Sequence, residues 1–270
     1  MVKRARAGSI LRTNRVRWAP FMGRAMSEWV INPEEVVRLI PEMGGAVVSL
    51  SVLRGDAPVG VMQREAPEVP EDSGWSFTGL GDSEEFLDDP DNATVCDLNT
   101  LANIDTGIIR HLTRPEGVVL VRDDPDGPFE VVEGPDDPPS VVFLPPVSGP
   151  TRLSAHWGLS VPGYCLRRVD EGNLVIWRPG LTLWLAIGNG EFDVAERLAE
   201  LRDEIAEGTA IEANEGDGWA TLTYRNEEES SWRVQAVSAS QHLMIAAYFD
   251  DDDAEADAQA ALGSVEWLGG

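Results

Sequence analysis

The chain has 270 residues, 43% of them hydrophobic, and a formal net charge of -26 from 47 acidic against 21 basic residues. That length and apolar content suit one large or two small folded domains and exclude wholesale disorder, and no apolar run reaches the roughly 18 residues of a membrane span. Such a field disfavours nucleic acid and anionic membranes as partners and favours a basic protein, although acidity also serves plain solubility.

The charge is uneven. Residues 1–25 hold seven basic residues (Lys3, Arg4, Arg6, Arg12, Arg15, Arg17, Arg24) and no acid; setting these aside leaves fourteen basic residues against all forty-seven acids. The arm has the Arg-rich, acid-free composition of a transit-type presequence but lacks the apolar centre of a secretory signal. Met22 and Met26 offer later starts and a folded pattern begins right after Met26. Residues 1–27 are therefore read as a basic extension beyond an over-called start, with a disordered basic arm as the alternative. Cys96 and Cys165 are too few and too far apart for a disulfide framework or a zinc pattern, which fits a reducing cytoplasm. His111, His156 and His242 are scattered, with no metal-ligand spacing.

Along the chain, Asn32 as N-cap, Pro33 at the first helical position, and Glu34 and Glu35 in the first turn predict a short helix, with Val36, Val37 and Ile40 on its apolar face. Gly44 and Gly45 end it. Residues 46–53 predict a strand, and 59–65 its hairpin partner across a Gly55-Asp56 turn. Residues 107–112 predict a short helix, and 117–123 and 128–133 predict strands flanking a turn at Asp126-Gly127.

Residues 133–150 hold six of the eighteen prolines, a composition that suits a semi-rigid connector. The expected organisation is an α+β domain over 28–134, a Pro-rich linker over 135–150 and a second α+β domain over 151–270. In the second half, short alternating runs precede one clear helix at 192–208. There Asp193 and Glu196 make a capping-box pattern, and Val194, Leu198, Leu201 and Ile205 form a stripe closed by Gly208. Three strands follow at 219–225, 231–239 and 242–249, then a last helix from about Asp253 to Leu268. The predicted class is α+β, two small domains, each an antiparallel sheet with one or two helices.

The stretch Asp72–Asn92 carries the strongest candidate chemistry, with seven acids in twenty-one residues and aromatics at Trp75, Phe77 and Phe86. A calcium loop of the EF-hand type needs a glycine at its sixth position, and neither Asp82-Ser83-Glu84-Glu85 nor Asp89-Pro90-Asp91-Asn92 supplies one. Paired catalytic carboxylates need an accompanying nucleophile or acceptor, and no motif joins the nearest candidates Ser73, Cys96 and His111. Gly74, Gly79 and Gly81 match neither a dinucleotide fingerprint nor a phosphate loop, so turns are their expected role. The Asp250–Asp253 run, ahead of the last helix, reads as a helix cap. No cofactor or metal is predicted, and a non-catalytic role is favoured.

The spaced residues Arg64-Glu65, Asp72-Ser73-Gly74-Trp75, Gly81-Asp82, Asp88-Asp89-Pro90-Asp91-Asn92, Leu98-Asn99-Thr100, Asn103 and Asp105 closely resemble the immunity-protein thirty-three-like domain, once catalogued as a domain of unknown function. The resemblance covers about residues 43–132. It implies a bacterial cytoplasmic protein linked to polymorphic toxin systems, one that binds and neutralises a toxin encoded nearby. No catalytic residues follow from it. The expected partner is a basic toxin domain, met through Asp72, Trp75, Phe77, Asp82, Glu84, Glu85, Phe86, Asp88, Asp89 and Asp91. Two other readings compete: a two-domain structural or interaction protein whose motif is structural, or a metal-dependent hydrolase using these carboxylates.

Overall fold

Proline at position 33 starts only one turn. The computed structural model describes residues 29–206 and 209–269, and in it Pro33–Glu35 form a single 3-10 turn in place of the predicted helix. The Glu35 carboxylate accepts from the backbone N–H of Asn32 (3.2 Å) and from its side-chain amide (2.9 Å). Beyond the turn the chain stays extended because the Asn99 amide holds it: its oxygen accepts from Leu39 and Ile40, and its nitrogen donates to Val37. Asn103 grips Val37 at both its N–H and its C=O. Residues 1–27 and Gly208 lie outside the described residues.

Two compact units divide the chain, one ending at Phe143 and the other running Leu144–Gly270. The first contains strands β1 (Gly45–Ser49), β2 (Val59–Arg64), β3 (Asp72–Gly79), β4 (Ala93–Asp97), β5 (Val119–Val121) and β6 (Glu130–Glu133). Their order in the sheet is β4-β1-β3-β2-β5-β6. Residues 46–53 do not make one strand, since helix α1 (Leu50–Leu53) interrupts them. Nor do β1 and β2 form a hairpin. β3 lies between them, parallel to β1 and antiparallel to β2. The other pairs among the described residues of this sheet are antiparallel. Helices α2 (Glu84–Asp88) and α3 (Leu98–Ile104), with 3-10 turns at Pro90–Asn92 and Thr106–His111, complete the unit. Its core includes Trp75, Phe77, Met62, Leu53, Leu101 and Leu120, each at most 1% exposed.

The second unit is built on a sheet of nine strands, with β7 (Val141–Arg152), β8 (Trp157–Asp170), β9 (Asn173–Arg178), β10 (Leu181–Asn189), β11 (Ile211–Gly216), β12 (Trp219–Asn226), β13 (Ser231–Ser238), β14 (Gln241–Phe249) and β15 (Glu266–Trp267). The proline-rich run is therefore not wholly a connector, because Pro145, Pro146 and Pro150 lie within β7. Proline is tolerated where a strand need not donate on both sides, and β7 pairs with β8 off the main path of the sheet. Helix α4 (Val194–Glu204) starts at Asp193, which accepts from the Glu196 N–H at 3.0 Å. It packs Leu198 and Leu201 onto Ala220, Leu222 and Val237. Helix α5 (Asp252–Gly263) packs Ala254, Ala258 and Ala261 against Leu183, Val234, Ala236 and Ile245. Ala236 and Val237 are adjacent on β13, so strand alternation puts the two helices on opposite faces of this sheet. Within the acidic run, Asp251 is the α5 cap, accepting from Ala254 at 2.8 Å. The last helix stops at Gly263, short of Leu268, and the chain turns into β15 against β8.

Candidate functional site

The predicted binding stretch divides into a buried half and an exposed half. Asp72 to Gly79 form β3, paired on both sides. Asp72 accepts from Gly74 at 2.8 Å and from Glu68 at 2.9 Å, which closes the loop that enters the strand. The Ser73 hydroxyl donates to the Gly45 carbonyl at 2.6 Å and ties β3 to β1. Gly74 sits at φ +75°, where a Cβ would run into the Glu65 carbonyl oxygen; only glycine fits this turn without strain.

Trp75 and Phe77 are each 1% exposed and stack on each other at 5.8 Å. The Trp75 indole donates to the Leu112 carbonyl at 3.1 Å, and the Arg64 guanidinium lies 5.7 Å from its ring. These two aromatics, expected as partner anchors, are core residues, and a partner protein cannot reach them in this fold. Strand alternation explains it: Ser73, Trp75 and Phe77 share the face turned to the core.

Asp82 is half-buried. One of its oxygens accepts from the Gly79 N–H (2.7 Å) and the Ser51 hydroxyl (2.9 Å), so it closes the turn after β3. From there the stretch comes to the surface. Ser83 caps α2 by accepting from Phe86 at 3.2 Å, and Glu84 and Glu85 follow in the first turn, where the helix N-terminus favours negative charge. Glu84, Glu85, Asp88, Asp89 and Asp91 are exposed and Phe86 is half-buried. Asp89 accepts from the Asp91 N–H at 2.9 Å, and the Asn92 amide donates to the Phe86 carbonyl at 3.0 Å. The turn is thus built from its own polar side chains, as Asp-Pro sequences commonly are. This exposed group belongs to a longer segment. Residues 65–109 contain twelve acids and no lysine, arginine or histidine, a gap in positive charge that the sequence itself displays and that the composition of Asp72–Asn92 alone does not reveal.

The other signature residues are structural. Asp97 caps α3 by accepting from Asn99 and Thr100. Asp105 forms an ion pair with Arg122; the two side chains are 11% and 5% exposed. Asp105 also accepts from the Val59 and Gly107 N–H groups, and the Arg122 guanidinium lies over the Phe129 ring at 4.6 Å.

The three residues considered for nucleophilic chemistry occupy separate structural roles. The Ser73 hydroxyl is spent on Gly45, as above. Cys96 is buried, and burial together with the Asp97 carboxylate pushes its thiol up to about 12. A thiol there stays protonated and unreactive at neutral pH. His111 packs edge-on to Phe129 at 5.5 Å; burial first, then Arg114 and Arg110, lowers it to about 4. Among the described residues no three His, Cys, Asp or Glu side chains gather to hold a metal ion. An open groove of about 700 Å³ is lined by Met43, Arg64, Leu112, Thr113, Pro139 and Val141 among others, and none of the ten predicted binding residues is among its lining. Among the described residues no helix is long and apolar enough to cross a membrane.

Comparison with known proteins adds one match. Residues 46–133 match the family model of the Immunity protein Imm33 domain, in agreement with the resemblance read over 43–132; the match covers less than half of the chain. No curated protein and no solved structure matches the chain.

Proposed function

We propose that the protein is a non-catalytic immunity-type protein, acting in the cytoplasm, whose first unit binds and neutralises a basic toxin domain encoded nearby. The observation that carries this reading is the Imm33 match over 46–133, within which lies the whole of the segment 65–109 free of basic residues. Neutralisation by binding requires a complementary surface and no reactive centre. The exposed acids Glu84, Glu85, Asp88, Asp89 and Asp91 form that surface on a short helix and a turn pinned by local hydrogen bonds. Electrostatic steering by such a surface speeds encounter with a basic partner, most strongly at low salt. Trp75 and Phe77 are no part of it.

The test is co-expression with the product of the adjacent gene. Rescue of growth and recovery of a salt-sensitive complex support the proposal; neither rescue nor complex overturns it. A second reading, that the motif is structural, draws on the roles of Asp72, Gly74, Asn99, Asn103 and Asp105 described above. The two readings concern different residues of one motif and are separable by mutation, as the predictions below set out.

A further inference from the structure

We propose that the outer edge of β4 is a docking strand, which takes up an extended basic segment of a partner protein as an additional strand of the first sheet. This deepens the immunity-type reading by naming how the partner's backbone is held.

Backbone direction along β1 carries the argument. Gly45 donates its N–H to the Glu71 carbonyl (2.9 Å) and accepts the Ser73 hydroxyl (2.6 Å), so its polar groups face β3. The carbonyl of the preceding Gly44 accepts from Leu98 at 3.2 Å, on the β4 side. Backbone groups alternate between the two sides of a strand, so Ala46 and Val48 face β4. Their register partners are Cys96 and Thr94, in an unbroken antiparallel ladder. These pairs exchange hydrogen bonds. Val95, between them, therefore turns both its N–H and its C=O away from β1, as do the C=O of Ala93 and the N–H of Asp97. The Ala93 N–H is taken by the Pro90 carbonyl.

Among the described residues no strand pairs with that outer side. A row of such groups is a template for another strand. Charge selects the occupant. The exposed acids Glu84, Glu85, Asp88 and Asp89 lead directly into β4, and the exposed Asp97 ends it. The edge strand β11 differs, because its Glu215 meets Arg202 at 3.3 Å within its own unit. An extended segment that alternates basic and apolar side chains would satisfy the free backbone groups while placing cations beside these carboxylates.

The test uses the full chain and a fluorescent, amidated peptide of alternating lysine and valine. Expected is binding that weakens with salt and that protects the Val95 and Asp97 amides from hydrogen exchange. Val95→Pro removes an outward donor and none of the hydrogen bonds between β4 and β1, so it should lower affinity at least about tenfold while the chain still unfolds in one cooperative transition. The same peptide N-methylated at alternate amides should bind equally poorly to the wild-type chain. The proposal is overturned if Val95→Pro or the N-methylated peptide binds as well as its parent, since charge alone then suffices. It is equally overturned if protection appears at Glu130–Glu133 instead, or if the peptide does not bind, in which case the acids guard the edge against pairing. Should Val95→Pro not fold, the exchange pattern and the methylated peptide decide. A toxin complex that leaves Val95 unprotected sinks the docking strand and spares the immunity reading; a docked peptide with no toxin complex does the reverse.

Discussion

The Trp75 indole N–H meets the carbonyl of Leu112 at 3.1 Å, linking the central strand β3 to the end of the 3-10 turn that closes at His111. A side chain in that position anchors its own domain. Trp75→Ala should cost about 3–5 kcal/mol through lost packing. Trp75→Phe, which keeps most of the ring but orphans the carbonyl, should cost about 1–3 kcal/mol. Chemical denaturation measures both. A Trp75→Phe protein as stable as wild type, yet unable to bind its partner, would return Trp75 to the interface.

The exposed acids predict the opposite pattern. Replacing Glu84 and Glu85 by Gln, and Asp88 and Asp89 by Asn, changes only exposed side chains, and surface changes of this kind stay within about 0.5 kcal/mol each. Partner affinity should fall and its dependence on salt should flatten, read by titration at two ionic strengths. Asp89→Asn keeps an oxygen able to accept from Asp91, so the turn is retained. A drop of several degrees in melting temperature with unchanged binding would favour the structural reading of this stretch.

The Asp105–Arg122 pair is a stability element. Both side chains are nearly buried, and removing one leaves the other charge uncompensated, which costs about 3–5 kcal/mol. Asp105→Ala also strips acceptors from the Val59 and Gly107 N–H groups. Unlike the surface acids, this pair is shielded from salt, so the loss of stability should be the same at low and moderate ionic strength.

Asn99 holds the segment before β1. Asn99→Ala would leave the N–H groups of Leu39 and Ile40 without their acceptor at a buried site, at about 1–3 kcal/mol. Hydrogen exchange should show the loosening confined first to residues 37–40. Uniform exchange across the first unit would mean that Asn99 supports the whole fold.

His111 makes stability fall on the acid side. Its pKa in the folded protein is lowered to about 4 by burial and by Arg114 and Arg110, so the unfolded chain binds its proton more readily. Stability from neutral His111 is complete above the unfolded value of roughly 6.5 and is lost progressively as pH falls toward 4. His111→Gln should flatten that limb relative to wild type, compared by urea midpoints across the range. Parallel curves for the two proteins would dismiss the effect.

Alternation made most of the second unit legible. β12, β13 and β14 lie close to where 219–225, 231–239 and 242–249 read as strands, since each alternates over a full strand length. The first unit was harder, for reasons of distance along the chain. The apparent helix at 33–40 is held open by Asn99, about sixty residues away, and no local propensity reports that contact. The apparent hairpin of 46–53 with 59–65 is split by β3, whose Gly, Ser and Asp content reads as loop although Trp75 and Phe77 alternate inward. Acidity and aromatic content drew both aromatics into the predicted surface together with Glu84 and Asp88. Burial separates them, and burial follows from the pairing of β3 on both sides.

The strand order also sets a timetable. β1 is flanked by β3 and β4, which follow it by more than twenty and more than forty residues. During synthesis β1 therefore waits without a neighbour until β3 has emerged at Gly79, gains its second when β4 ends at Asp97, and the sheet is complete only with β6 at Glu133. No strand of the second sheet starts before Val141, so the two sheets do not interleave and the first can assemble while the second is still being made. The proposed immunity role would gain from that head start.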